Sequence, residues 1–246
     1  MEKLTAKDIQ WIRSLHHKSG RKELGLFIVE GMKMLQEALS NQVFVIHLVV
    51  SDSEDVLQAI LSEGHPTKKC STSEMQRISN LKTASEVLVI LKMQSSVDIP
   101  CSDQLIALDN IQDPGNLGTI IRIADWFGIQ HIVASENTVD IYNPKTIQAT
   151  MGSIFRVKVH YTQLSEYLSK QRVPIYGAVM DGESIEHCSM TKPGILIIGN
   201  EGQGISNEVT KAITHPITIP KIGGAESLNA AVACGILVSR WNLSQK

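Results

Sequence analysis

Apolar residues along this chain gather in short runs, with stretches of helical spacing between them. The runs FIVEG (27–31), VFVIHLVV (43–50) and EVLVIL (86–91) predict strands, the second of them buried. Residues 5–15, Met32–Leu39 and 54–62 instead repeat their apolar positions at helical intervals and predict helices. Six further runs follow, LIALDN, HIVAS, FRVKVHY, PIYGAVM, GILIIGN and HPITIP, most of them separated by helical patterns. Such alternation predicts an α/β fold whose second half is a mostly parallel sheet covered on both faces. Where the first rhythm stops, KMQSSVDIPCSD is polar and contains a proline. The predicted division is a small N-terminal α/β domain over 1–95, a linker over 96–103 and a C-terminal α/β domain over 104–246. No internal repeat or low-complexity tract interrupts this order.

Composition narrows the classes. With 246 residues, 43% hydrophobic and 20% charged, the chain is an ordinary globular one rather than a disordered one. A net charge of -2 is not the footprint of a general nucleic-acid binder. The charge is uneven, however: the first 22 residues hold six Lys and Arg against Glu2 and Asp8. That cluster, which ends in Lys18, Arg21 and Lys22, reads either as a solvated helix face followed by a loop or as a contact for a polyanion. The four cysteines stand far apart, with no C-x-x-C, no zinc spacing with histidine and no H-E-x-x-H. Structural thiols in a reducing compartment and no metal site are expected. The start MEKLTAKDIQW has no apolar signal region, and no apolar run reaches membrane-spanning length. A cytoplasmic protein without membrane contact is the expectation.

In open parallel sheets, ligands sit beyond the carboxyl ends of the strands. Three strand ends in the second half carry the candidate chemistry. In LDNIQDPGNLGTIIR, Asn116 reads as the N-cap of a helix that stops at Gly128, with Leu117, Ile120, Ile121, Ala124 and Phe127 as its buried stripe. Arg122 lies off that stripe, one turn beyond Gly118, and reaches back toward the helix start as an anion contact. The plainer reading is a surface pair with Asp125. IIGNEGQGIS has three glycines in six residues, which admit close backbone approach, and Glu201, which disfavours a bare phosphate. The plainer reading there is a tight strand-to-helix turn. No Gly-Lys-Ser/Thr follows and the glycine spacing is not that of a dinucleotide fingerprint. In IPKIGGAESLNAAVACGILVSRW, Ser227 is placed to cap the last helix, Asn229 offers a donor and an acceptor, and the Ala/Gly run permits tight packing against backbone.

Taken in order, Asn110…Asp113-Pro114-x-Asn116-x-Gly118…Arg122, then Ile198-Gly199-x-Glu201-x-x-Gly204, then Ile219-Pro220…Ser227-Leu228-Asn229 resemble three known motifs. They are those of the SpoU (TrmH) family of RNA ribose 2′-O-methyltransferases, within the SPOUT superfamily. The resemblance covers essentially the whole second domain. Phe27-Ile28-Val29-Glu30-Gly31-x-Lys33…Glu37-Ala38-Leu39, preceded by KSGRK, is similar over a shorter span to a small α/β RNA-binding module like the kink-turn-binding ribosomal proteins.

The resemblance implies a deep trefoil knot in the C-terminal segment. It implies S-adenosylmethionine bound there largely by main chain, with contacts at Gly199, Ile219 and Leu228, and a homodimer whose site uses both subunits. It assigns catalysis to Asn116, Arg122, Glu201, Ser227 and Asn229. Arg122 would hold a neighbouring phosphate and stabilise the developing alkoxide, Asn116 would orient Arg122 or the ribose, and the other three would shape the loops. It turns Lys18, Arg21 and Lys22 toward RNA backbone contact, and its N-terminal module points to large-subunit ribosomal RNA rather than transfer RNA. Ala230-Ala231, Lys221 and Thr150–Ser153 depart from the family pattern without removing a proposed catalytic group. The alternatives are a transfer-RNA ribose 2′-O-methyltransferase and a catalytically silent RNA-binding protein of the same fold. A dinucleotide-dependent oxidoreductase would have only the α/β rhythm in its favour.

Overall fold

The computed structural model describes residues 2–41, 44–94, 99 and 104–243. Its elements begin with β1 (Glu2–Lys3), α1 (Ala6–Ser14), α2 (Lys18–Leu24), β2 (Leu26–Glu30), α3 (Met32–Asn41), β3 (Ile46–Ser51), α4 (Glu54–Ser62), β4 (Thr67–Lys69), α5 (Thr72–Ile78) and β5 (Val87–Lys92). They continue with β6 (Gln104–Leu108), α6 (Pro114–Trp126), β7 (His131–Ser135), α7 (Pro144–Thr150), a 3-10 turn at Ser153–Phe155, β8 (Lys158–Thr162) and α8 (Leu164–Ser169). The last are β9 (Ile175–Ser184), β10 (Gly194–Ile198), α9 (Asn207–Thr210), β11 (His215–Thr218) and α10 (Ala230–Leu243). The chain forms two compact units, residues 1–95 with 142–155, and residues 96–141 with 156–246. Apart from Ile99, the expected linker at 96–103 lies outside the described residues.

The first unit is built on a five-stranded mixed sheet in the order β1-β4-β3-β5-β2. Strand β5 runs antiparallel to both β2 and β3, and β4 runs parallel to β1 and β3. Ile12, Leu15, Val50, Ile78, Leu88 and Ile90 pack in its core. Helix α1 starts where Thr5 and Asp8 close a reciprocal capping box. The stretch 142–155 joins this unit through aromatic contacts. Tyr142 packs on Phe27 at 4.5 Å and Phe155 on Phe44 at 5.7 Å between ring centroids.

One expectation fails here. Arg21 was expected at the RNA-facing surface, but it is only 2% exposed. Its Nη1 donates to the carbonyls of Leu15 at 2.9 Å and His16 at 3.1 Å, closing the turn between α1 and α2. Gly20 lies against the same turn, where a Cβ would sit 2.3 Å from the Ser14 carbonyl oxygen. Lys18 and Lys22 stay exposed.

In the second unit, six strands run parallel in the order β11-β9-β10-β6-β7-β8. The central strands β6 and β10 are buried at every position, as expected for a sheet covered on both faces. Leu164 and Leu168 of α8 and Val209 of α9 pack on Leu105, Val133, Ile195 and Ile197. Helices α6 and α10 pack against one another. Gly182 on β9 is pressed to β11, where a Cβ would fall 2.6 Å from the Ile217 carbonyl carbon. The loops after β6 and β10, on neighbouring strands, therefore emerge side by side.

Arg21→Ala should lower the unfolding free energy by about 2–3 kcal/mol in urea denaturation, because two carbonyls lose a charged donor. Lys22→Ala should change it by no more than roughly 0.5 kcal/mol. Equal small effects would refute the structural role of Arg21.

Candidate functional site

Helix α6 begins at Pro114, with Asp113 rather than Asn116 as its N-cap. Asp113 Oδ1 accepts from the Asn116 backbone N–H at 2.8 Å. Asn116 is therefore inside the first turn, and its side chain is free to work elsewhere. Its Nδ2 donates to Glu201 Oε1 at 2.9 Å, and its Oδ1 accepts from Asn229 Nδ2 at 2.8 Å. Asn229 Oδ1 in turn accepts from the N–H groups of Ala231 at 2.9 Å and Val232 at 3.2 Å. Asn229, not Ser227, caps α10. The three loops meet through these side chains.

Glu201 is the charged end of this chain of bonds. Its two oxygens also accept from the backbone N–H groups of Asp113 at 3.2 Å and Gln112 at 3.3 Å. Burial pushes the carboxyl up, but the Asn116 amide and these N–H groups outweigh it and hold it below its ordinary range.

Asn200, which sequence reasoning missed, organises the second loop. Its Nδ2 donates to the Asn110 carbonyl at 2.7 Å, and its Oδ1 accepts from Gly202 N–H at 2.9 Å and Gln203 N–H at 3.0 Å. Asn200 and Gly204 exchange backbone bonds, so the loop closes on itself. A Cβ on Gly199 would lie 2.3 Å from the Gly204 carbonyl carbon. The available signal was Asn followed two residues on by Gly, the mark of an Asx turn. Asn110 sits at φ 60°, a left-handed conformation that few non-glycine residues take, and donates its N–H to Ser135 Oγ at 2.8 Å.

The remaining sequence candidates stand apart from this network. Arg122 is exposed on α6 and makes no hydrogen bond or ion pair among the described residues. Neither expected partner is available to it. Asn116 is committed to Glu201 and Asn229, and Asp125 is held by Arg156, whose Nε lies 2.9 Å and Nη2 2.9 Å from Oδ2. Ser227 is exposed, Leu228 is 47% exposed and Ile219 is half-buried. Among the described residues, no backbone group of 219–228 is hydrogen-bonded to the protein. Among the same residues, no three His, Cys, Asp or Glu side chains assemble as a metal-binding set. Burial pushes the Cys70 and Cys234 thiols up to about 12, so both are inert.

The three bridged loops fall inside residues 103–239, the stretch matched by the SpoU rRNA Methylase family. The chain belongs to that family. Residues 6–89 match a second family, the MRM3-like substrate binding domain. Among SpoU relatives, a 23S rRNA (guanosine(2553)-2′-O)-methyltransferase of Bacillus subtilis is 31% identical over 230 residues, 92% of this chain and 92% of its own. A 23S rRNA (uridine(2479)-2′-O)-methyltransferase of Streptomyces viridochromogenes is 28% identical and covers 91% of this chain and 85% of its own. A solved rRNA methyltransferase of Sinorhizobium meliloti with AdoMet bound superposes with a TM-score of 0.89 at 29% identity, over 99% of this chain and 97% of that one. The SpoU fold thus has its parallel sheet in the second unit, preceded by the α/β module of the first.

The depressed Glu201 gives a pH signature with a definite sign. Its contribution to stability is full above the unfolded value near 4.5 and is lost as pH falls through the lower folded value. The stability gap between wild type and Glu201→Gln, followed by urea denaturation, should be widest near neutral pH and should close as pH drops below 4.5. A gap that persists unchanged to about pH 3 would show that the carboxylate is not what holds the loops.

Proposed function

We propose that this chain is an S-adenosylmethionine-dependent methyltransferase acting on a ribose 2′-hydroxyl of 23S ribosomal RNA. The observation that carries this reading is the Asn229–Asn116–Glu201 bridge, which binds the three family motifs into one site at the carboxyl ends of parallel strands. The match of residues 6–89 to a substrate-binding domain and the ribosomal targets of the relatives support ribosomal over transfer RNA. In this reading residues 1–95 bind substrate, residues 104–246 carry the reaction, and the enzyme works in the cytoplasm. No helix among the described residues is long and apolar enough to cross a membrane.

The residues present fit the cofactor. Loop 219–228 keeps its backbone donors and acceptors unspent beside the apolar Ile219 and Leu228. Loop 199–204 is closed by the backbone bonds between Asn200 and Gly204, and Gly199 beside them has no side chain to intrude. These groups would hold an adenine ring between apolar side chains and read its edge with main chain. When bound, S-adenosylmethionine supplies a methyl group on a sulfonium centre and leaves as S-adenosylhomocysteine. The trefoil knot belongs to the same proposal, supported by the close approach of β9 to β11 at Gly182 and by the small residues that open α10.

The work of this chain is alignment and charge stabilisation. Arg122 stays protonated, so it is no base. Its exposed guanidinium takes an RNA phosphate in a bidentate grip and stabilises the negative charge that grows on the 2′-oxygen. The proton leaves to a phosphate oxygen or to water. Asn116, Glu201 and Asn229 act as positioning residues that hold the loops, and Ser227 is free to meet the substrate. Lys18 and Lys22 remain as RNA backbone contacts.

A homodimer completes the proposal. Residues 230–238 of helix α10 are all apolar, so this stretch is apolar on all sides. Ala230, Ala231, Cys234, Leu237, Val238 and Trp241 are buried, yet Val232 is 51% and Ile236 38% exposed. Trp126 on the adjoining α6 is 85% exposed. A helix that is apolar all round is a covered helix, and a second copy supplies the cover.

Two measurements test this reading. Labelled methyl from S-adenosylmethionine should enter unmodified 23S ribosomal RNA and map to a ribose. Arg122→Ala should lower turnover by about 10²–10³-fold while cofactor affinity holds, and Arg122→Lys should not restore it. Label in transfer RNA alone, or full activity in Arg122→Lys, would overturn it. Separately, Val232→Glu with Ile236→Glu should convert a dimer into a folded monomer in sedimentation. A wild-type monomer at micromolar concentration would dismiss the interface.

A further inference from the structure

The first unit contains a cavity of about 200 Å³, smaller than the roughly 300–1,000 Å³ of a drug-sized site. Its size suits one flat ring rather than an extended ligand. Two distant stretches of sequence build it. His16, Glu30, Lys33 and Asn80 come from the N-terminal part, and Gln148 and Met151 come from α7 and its C-cap.

The polar groups of the lining are not spent on one another. His16 Nε2 lies 2.9 Å from the Ile78 carbonyl, so it carries the ring proton. Burial lowers the affinity of the ring for a second proton, which leaves His16 Nδ1 a bare acceptor, and that atom has no hydrogen-bond partner. Glu30 accepts from Asn80 N–H at 3.0 Å and from the Ser79 hydroxyl, and so fixes the loop that carries Asn80. The side-chain amides of Asn80 and Gln148 and the ammonium of Lys33 have no partner among the described residues. The apolar part of the lining includes two thioethers, Met34 and Met151, which pack favourably on aromatic rings. Met151 is 50% exposed and sits at φ 51°.

These features fit a heteroaromatic ring with hydrogen-bonding edges and an attached phosphate. The ring meets methionine and aliphatic walls, and the exposed amides of Asn80 and Gln148 serve its edge donors or acceptors alike. Lys33 answers the phosphate. We infer that this cavity receives a single unpaired base of the RNA substrate, held at its phosphate by Lys33. The inference rests on the RNA methyltransferase reading and adds to it a base-reading pocket that α7 helps to build.

The test uses the full chain with unmodified 23S ribosomal RNA. Ultraviolet cross-linking with peptide mapping should place RNA on the peptides containing Lys33, Asn80 or Met151. A triple variant, Lys33→Ala with Asn80→Ala and Gln148→Ala, changes only exposed side chains. It should melt like wild type and bind S-adenosylmethionine equally, but bind the RNA about tenfold or more weakly and raise its KM. Gln148→Trp, which fills the cavity mouth, should act the same way. Wild-type RNA affinity in both variants, with cross-links elsewhere, would overturn the pocket and leave the enzyme reading intact. A wild-type protein that binds cofactor yet neither binds nor methylates the RNA would overturn both.

Discussion

The carboxylate of Glu201 sets the sense of everything bonded to it. An ionised carboxylate only accepts, so Asn116 must present its amide N–H to Glu201. That turns the Asn116 carbonyl oxygen outward, where it can only accept, and Asn229 answers with its own amide N–H. Asn229 is left with its oxygen facing the start of α10, where two backbone N–H groups need an acceptor. One charge thus orients two amides and caps a helix. Each member of such a half-buried chain satisfies its neighbour, and removal of any one leaves the next with an unmet polar group.

Much of this was legible in the sequence, but at the level of residues rather than bonds. Polar side chains crowded at three strand ends, in a chain otherwise patterned for a parallel sheet, singled out the three loops, and the resemblance to the family motifs grouped Asn116, Glu201 and Asn229. The capping assignments went astray for a local reason. Asp113 and Asn116 are both good N-caps, and so are Ser227 and Asn229, so propensity alone does not choose. Pro114 could have decided the first case, since proline favours the first helical position and so points to the residue before it as the cap. Nothing local could have decided the second, because Asn229 is selected by its bond to Asn116, 113 positions away.

Arg21 and the 142–155 stretch went unread for the opposite reason. A basic run shows no difference between a lysine that snorkels and an arginine that turns inward, and only the carbonyls of Leu15 and His16 make Arg21 structural. Residues 142–155 follow a strand of the second unit in sequence, yet their aromatic rings find partners in Phe27 and Phe44. Periodicity reports which face of an element is buried and is silent about which core buries it. The short elements β1, α2, β4 and α5 are similarly too brief to carry a period.

Helix α6 shows how rigidity and availability are divided between two faces of one element. Leu117, Ile120, Ile121 and Ala124 are fully buried and fix the helix to the sheet. Arg122, between them in sequence, faces solvent. An exposed arginine three residues before an aspartate would ordinarily find it at a distance suited to an i,i+3 pair. Here Asp125 is occupied by Arg156 through Nε and Nη2, a fork that a single rotating ammonium could not reproduce. The internal competitor for the Arg122 guanidinium is thereby neutralised by a second arginine. A phosphate that approaches α6 meets a cation whose hydrogen bonds do not first have to be broken.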